Sequence, residues 1–500
     1  MAETLSTALL LAQSSAKGAK ERAQELILEC RANITRLESQ IEDLKRLQAR
    51  EYSIIAALQL ITAPVRTLPS AVLGNIFIHT LDAGNHRDGW TDVSIKDVWV
   101  LTHVCSSWRH AALNTPELWV RLLPIFHDKR PGEALLSASK FFLERSAPLP
   151  FPVSLGSGYD ASAGANLGPL MDTLFAVPHR WLSLTLPTKL LGTLAQIPAG
   201  ALTALETLDL RGTSTAGGEP EVHSGVNAFR LAPRLHRVTL WHVKNAETFM
   251  PWSQLTTLAL AEESPRVCLD IIVRCSNLVS ATLRMSGWPE SVSVSATDTV
   301  TLEHLQSLDI HISNTSSDEH FTPFLQRLNL PNLTSLKLYG EYHSGVITWS
   351  QPAFTMFQMR SPLIQYLQID HCALTSEDLQ AVIHHVQNMT QLEVYNCSNC
   401  IDDAFLAALR YSQFDPAPFT PKLEVLWLSS LRCDFEETSL KDLVESRWWT
   451  EEDLLAMPSP PAVARLKNVR YTSSRKFSRK FEKRMQVYRA EGLEFSTLVS

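Results

Sequence analysis

Long hydrophobic runs are missing from this chain. No apolar stretch approaches the roughly 20 residues that a bilayer-spanning helix needs. The patch Thr4–Ala12 is short, follows Glu3 and has no basic lead-in, so neither a membrane span nor a signal peptide is expected. A charge excess of either sign is missing too. Lys+Arg 45 against Asp+Glu 52 leaves only −7, without the basic field that a nucleic-acid partner selects. Cysteine is sparse: Cys30, Cys105, Cys268, Cys275, Cys372, Cys397, Cys400 and Cys433 are scattered unevenly, unlike a disulfide framework. Reduced thiols, and hence a cytoplasmic or nuclear protein, are expected. An apolar share of 45% against 19% charged excludes a mostly disordered chain.

Motifs for chemistry are also lacking. There is no Gly-rich phosphate loop, no H-E-x-x-H and no G-x-S-x-G; Gly156-Ser-Gly158 is too short to be one. Cys397-Ser-Asn-Cys400, with His371, Cys372, His384 and His385 nearby, is the best metal candidate. No second C-x-x-C or H-x₃₋₅-H pair completes four ligands, so these read as buried thiols in a repeat. The expectation is a chain without cofactor, metal or catalytic residue.

Leucine, by contrast, is abundant, with 73 residues. The excess belongs to one returning pattern, L-x-x-L-x-L or close variants. It runs through Trp181–Leu186, Leu205–Leu210, Leu235–Leu240, Leu255–Leu260, Leu278–Leu283, Leu305–Ile310, Leu333–Leu338, Ile364–Ile369, Leu392–Cys397 and Leu423–Leu428, with a degenerate Leu466–Tyr471 beyond. The mean spacing of about 27 residues lies within the 20–29 of leucine-rich repeats. Helix-like stretches intervene, one opening on the capping box Thr375-Ser-Glu-Asp378. The expected fold is therefore an α/β solenoid over 131–500, an irregular leucine-rich-repeat array with strands on the concave side and helices outside. Pro148–Leu155, rich in proline, is expected as the first edge strand.

In such an array the leucines point inward, and binding falls to the residues between them. The column after each strand reads Arg211, Trp241, Ala261, Arg284, His311, Tyr339, Asp370, Ser398 and Ser429, and Trp427 occupies an outward position within a strand. Aromatic and charged residues alternate there, as in binding hot spots. We take Arg211, Trp241, Arg284, His311, Tyr339, Asp370 and Trp427 as the candidate surface for a protein target whose identity the sequence does not give. Gly/Ser/Thr/Asn-rich insertions at 155–167, 211–227 and 312–319 are expected as mobile loops. Near the end, Phe477, Phe481, Met485 and Tyr488 form a helical stripe within a basic segment. That pattern reads as a C-terminal helix capping the solenoid, or as a nuclear-import patch.

Ahead of the array, residues 1–20 are expected as a flexible N-terminus and 21–61 as a helix ending before Pro64. Ile27, Cys30, Ile34, Leu37, Ile41 and Leu44 alternate spacings of three and four. Two readings fit. One is a short coiled coil giving weak self-association through 21–50; the other is an amphipathic helix lying on its own protein. Gln48 and Glu51 interrupt the stripe.

The segment 64–123 is the most specific. Leu68-Pro69-Ser-Ala-Val-Leu-Gly-Asn-Ile-Phe77 sets Val72, Leu73, Ile76 and Phe77 on one helical face. Val104-Cys105-Ser-Ser-Trp108-Arg109 and Pro116-Glu-Leu118-Trp119 follow in order. These three blocks resemble an F-box, most closely the layout common in mushroom-forming fungi. The resemblance implies three short helices docking on the small Skp-type adaptor of an SCF ubiquitin ligase, and through it on a cullin. Carried over by position, the docking residues are Leu68, Pro69, Val72, Leu73, Ile76, Val104, Cys105 and Trp108. The common form Leu-Pro-Pro-Glu here reads Leu68-Pro69-Ser70-Ala71, without its acid. The expected function is a non-catalytic substrate receptor, and the alternative is a repeat scaffold that acts without a ligase. Neither nucleic acid nor membrane is an expected partner.

Overall fold

The computed structural model describes residues 17–82, 95–120, 132–154, 168–212, 227–241, 249–286, 299–313, 321–340, 347–397, 400–414, 418–429, 435–457, 459–473 and 476–499. Of the insertions expected at 155–167, 211–227 and 312–319, residues 155–167, 213–226 and 314–319 lie outside them, as do the segment 1–16, Ser398 and Cys433. Arg211, Ile312 and Ser313 belong to strands rather than loops. Contacts divide the chain into Met1–Leu118 and Trp119–Ser500.

The first unit is helical. In α1 (Lys17–Thr62) strong helix formers run for 46 residues, about 69 Å, with glycine only at its start and proline only beyond its end. The helix starts four residues earlier than expected. Among the described residues its apolar stripe is uncovered: Ile27, Ile34, Leu37, Ile41 and Leu44 are each more than half exposed. Among the described residues, no single helix is long and apolar enough to cross a membrane.

A 3₁₀ turn, Pro64–Thr67, leads into α2 (Ser70–Asp82), followed by α3 (Ile95–Val104) and α4 (Ser106–Leu113). Leu73, Phe77, Val98, Ala111 and Ala112 are buried between them. Gly74 permits this packing, because a β-carbon there would stand 2.6 Å from the Thr115 hydroxyl. The short helix α5 (Pro116–Val120) carries the boundary. Trp119, expected within 64–123, instead packs on Phe141 and Phe142 of α6 (Gly132–Arg145), with centroids 5.4 and 6.0 Å away.

The second unit is one parallel sheet of thirteen described strands in sequence order. They are β1 (Phe151–Ser154), β2 (Trp181–Pro187), β3 (Thr207–Arg211), β4 (Arg237–Trp241), β5 (Thr257–Glu263), β6 (Ser280–Ser286) and β7 (Ser307–Ser313). β8 (Ser335–Gly340), β9 (Tyr366–Asp370), β10 (Gln391–Tyr395), β11 (Val425–Ser429), β12 (Asn468–Ser473) and β13 (Glu494–Val499) complete it. Each strand pairs with its sequence neighbour and the sheet does not close, which is the leucine-rich-repeat type of solenoid. From Leu184 and Leu186 in β2 to Val469 and Tyr471 in β12, both inward residues of every strand are at most 1% exposed. Burying each such aliphatic side chain contributes about 1.5–3 kcal/mol against leaving it in water. Period-two burial within a strand and a 27-residue period between strands together make the leucine surplus into one continuous core.

Two readings are corrected here. At 392–397 the frame slips by three: Met389 takes the first leucine position, Leu392 and Val394 point inward, and Tyr395 holds the column place given to Ser398. At the C-terminus the helix Arg479–Ala490 does bury Phe481, Met485 and Tyr488, but it is not the last element. β13 follows and pairs with β12, so that helix is the crossover of a further repeat.

Candidate partner-binding surfaces

The register places the outward residues of the sheet in straight rows. The middle row runs Thr185, Asp209, Thr239, Ala259, Thr282, Asp309, Lys337, Gln368, Glu393, Trp427, Arg470 and Ser496. The next row is the column read from sequence: Arg211, Trp241, Ala261, Arg284, His311, Tyr339, Asp370, then Tyr395. Small residues floor the face across β4–β6, whereas β7–β12 are dense in charge and aromatics.

Each candidate is engaged with neighbours that lie far away in sequence. Arg211 is an exception. It binds Asp209 two residues back at 2.7 Å, and this raises the guanidinium pKa. Trp241 and Arg284 meet across the intervening β5, the guanidinium 5.4 Å from the ring. That meeting is possible because β5 contributes only Ala261, which is left 3% exposed. His311 stacks on Tyr339 with centroids 4.3 Å apart and planes 14° off parallel. Asp370 accepts from Asn396 at 3.0 Å and holds the His371 ring nitrogen at 2.7 Å. The Trp427 indole donates to Asn468 Oδ1 at 2.8 Å while Arg470 lies 4.2 Å over its ring.

The centre of the surface was not picked out from sequence. Glu393 is only 4% exposed and accepts from Gln391 Nε2 at 2.6 Å and the Tyr395 hydroxyl at 3.1 Å. Gln368 Oε1 accepts from the hydroxyls of Tyr339 and Tyr366 at 3.0 and 2.8 Å. Burial and the neighbouring carboxylates push Tyr339 up to about 12 and Tyr366 and Tyr395 higher still, so all three remain hydrogen-bond donors at neutral pH. Lys337 pairs with Asp309 at 3.2 Å and lies over the Tyr366 ring. The signal was present as outward positions inside each strand, and the frame slip at Met389 concealed Tyr395. This cluster is an amphipathic surface with its polar groups already aligned, an arrangement that would lower the entropic cost of binding a partner.

His311 makes the surface sensitive to pH. Burial, then Arg284 and Lys337, pull its pKa down to about 4 from 6.5. The unfolded chain therefore binds more protons between those values, so stability falls as pH drops from 6.5 to 4. For a partly solvated ring this is about 1–2 kcal/mol. His311→Phe keeps the stack on Tyr339 and cannot titrate. Urea unfolding at pH 7 and pH 4.5 should show the variant losing less stability on acidification; equal losses would refute the assignment.

In the first unit, Val72 and Ile76 on α2 and Val104 on α3 are exposed, as is Pro69, whereas Leu68, Cys105 and Trp108 are half-buried. Leu73 is 1% exposed, in the core rather than on the docking face expected for it. Trp108 packs on Phe77 at 4.9 Å, and Cys105 Sγ caps α4 by accepting from Trp108 N–H. Sequence reading missed Trp99 and Val100, which with His103 and Val104 line a shallow apolar depression on α3.

Cys372, Cys397 and Cys400 are buried together, at most 1% exposed, with Cys397 accepting from the Cys372 N–H at 3.4 Å. Among the described residues no group of three His, Cys, Asp or Glu is placed to hold a metal ion.

No known family matches the chain, and no curated protein does. Among solved structures it is similar to a protein of Bacteroides fragilis, with 15% identity and a TM-score of 0.31 over 51% of this chain and 67% of that one. It is also similar to the leucine-rich repeat-containing protein LegL7 of Legionella pneumophila, with 15% identity and a TM-score of 0.30 over 59% and 92%. Both likenesses are distant; the repeat architecture is read from the register of the chain's own strands.

Proposed function

We propose that this chain is a substrate-recognition subunit of an SCF-type ubiquitin ligase, its first unit holding a Skp-type adaptor and its concave sheet face holding a protein target. The observation that carries the reading is the exposed apolar set Val72, Ile76, Trp99, Val100 and Val104 on a unit of three short helices that bears the F-box blocks. A small domain that leaves this much apolar surface in water is built to have it covered. The chain then works in the cytoplasm or nucleus by binding alone. It holds the target near a ubiquitin-charged enzyme and raises the effective concentration, with no catalytic residue of its own. Ser70-Ala71, in place of the usual Pro-Glu, favours the second reading, an interaction scaffold that uses the same concave face without an adaptor.

Co-expression with a Skp-type adaptor separates the two. Wild type should retain the adaptor through purification. Val72→Asp with Val104→Asp should weaken that retention at least about tenfold, since two exposed valines become unpaired charges in an apolar interface. Both positions are solvent-facing, so the fold stays intact, unlike in Trp108→Ala, which removes a partner of Phe77. Wild type emerging without adaptor would end the ligase reading and leave the scaffold.

A further inference from the structure

We infer that α1 pairs with a second copy of itself as a parallel, in-register two-stranded coiled coil. Ile27, Ile34, Leu37, Ile41, Leu44, Ile55 and Leu58 lie on the helix between 48 and 65% exposed. Among the described residues of their own unit nothing covers them, and most helical stability in proteins comes from packing an apolar face against a partner.

The kind of residue at each place selects the occupant. One heptad position reads Ile27, Ile34, Ile41, Gln48, Ile55, and the position three further on reads Cys30, Leu37, Leu44, Glu51, Leu58. β-Branched residues at the first and leucine at the second favour two parallel strands. The flanking positions agree. In a parallel pair Leu26 faces Arg31, Asn33 faces Glu38, Gln40 faces Lys45, Leu47 faces Tyr52 and Ile54 faces Gln59 across the seam. At these flanking positions no like charges meet, and two contacts place an amide beside a charge. An antiparallel pair centred on Glu38 stacks that residue on its own copy and Arg31 on Lys45. Those seven side chains would bury roughly 700 Å² per helix, or about 1,400 Å² for the pair, within the range of a specific interface. Gln48 and Glu51 fix the register, because a one-heptad slip buries both against aliphatic side chains. In register, Glu51 meets Glu51 and weakens the pair.

Sedimentation of the full chain should show a concentration-dependent dimer. Ile34→Glu with Ile41→Glu should abolish it, and Glu51→Leu should tighten it at least about tenfold. Orientation is read from Cys30, which is exposed at a seam position. With oxidised glutathione as oxidant, two Cys30 thiols give up two protons and two electrons to form an interchain disulfide, and the glutathione disulfide is reduced to two thiols. Cys30→Ser should remove that product. A monomer at every concentration in both wild type and Glu51→Leu overturns the proposal. So does a dimer indifferent to the Ile→Glu changes, or one that fails to cross-link through Cys30.

Discussion

Arg447→Met is expected to destabilise the protein by about 2–5 kcal/mol and to unfold the end of the array first. Arg447 is fully buried and, among the described residues, has no carboxylate partner. Its guanidinium donates to three carbonyls: Leu409 at 2.7 Å, Phe419 at 2.6 Å and Thr420 at 3.1 Å. These belong to the C-terminus of the helix Asp403–Leu409 and to the turn entering β11, where Thr420 has a φ of +42°. Within this turn the Thr420 carbonyl takes one backbone donor, Leu423 N–H at 3.1 Å, and the arginine supplies the donors to Leu409 and Phe419. Methionine keeps the apolar stem and donates nothing. The Leu409 and Phe419 carbonyls then lose the arginine's donors at about 1–3 kcal/mol each, while the Thr420 carbonyl keeps the Leu423 N–H at 3.1 Å. The relief of a buried cation, whose pKa desolvation lowers to about 10, offsets part of that loss. Arg447→Lys retains charge, but one ammonium cannot reach three carbonyls set for a planar fork, so an intermediate loss is expected. Because repeats touch mainly their neighbours, amide exchange should accelerate across 403–473 and stay unchanged in β2–β6. Uniform acceleration over the whole sheet would show that Arg447 acts on global stability instead. Arg180 uses the same device at the other end, donating to Leu149, Leu143 and the Ser146 hydroxyl at 2.8–3.0 Å.

None of these clamps could be read from the sequence, and the reason is instructive. Leucine periodicity reports only the side of each strand that faces the core, and there it succeeded even where alanine or tyrosine replaced leucine, as at Ala281 and Tyr471. It failed at one unit, where Met389 holds the first position and Leu392 was read in its place, which displaced the frame of β10 and hid Tyr395. It also gave no hint of β13, because Glu494–Val499 carries phenylalanine and threonine where the pattern has leucine. The outward rows were legible as positions but not as partners. Arg284 pairs with Trp241 43 residues earlier only because β5 puts alanine between them, a fact of register. Likewise the sequence showed that Val72, Leu73, Ile76 and Phe77 share a helix, but not that Leu73 and Phe77 go inward while Val72 and Ile76 stay out. That division required knowing where α4 lies.

Gly340→Ala should cost about 2–3 kcal/mol, and the penalty should come from backbone rather than from a side chain. Gly340 ends β8 where the chain leaving β9 turns back, with His371 in the left-handed region at a φ of +50°. A β-carbon at 340 would stand 2.5 Å from the His371 carbonyl oxygen and 3.0 Å from its β-carbon. The carbonyl cannot swing away freely, because the His371 N–H donates to the Tyr395 carbonyl at 3.1 Å and its ring is tied to Asp370. Urea unfolding in two backgrounds decides the cause. His371→Gly removes the β-carbon and suits the positive φ but leaves the carbonyl in place, so Gly340→Ala should cost the same in it to within about 0.5 kcal/mol. A penalty that vanished there would assign the clash to the histidine side chain. The consequence reaches the candidate binding face, since Asp370 and its partner Asn396 sit on this corner beside Tyr395. A displacement of a few tenths of an ångström at Gly340 therefore moves the aligned polar groups of the candidate surface, and under the proposed function the same substitution should weaken binding to the concave face while leaving the proposed adaptor surface untouched.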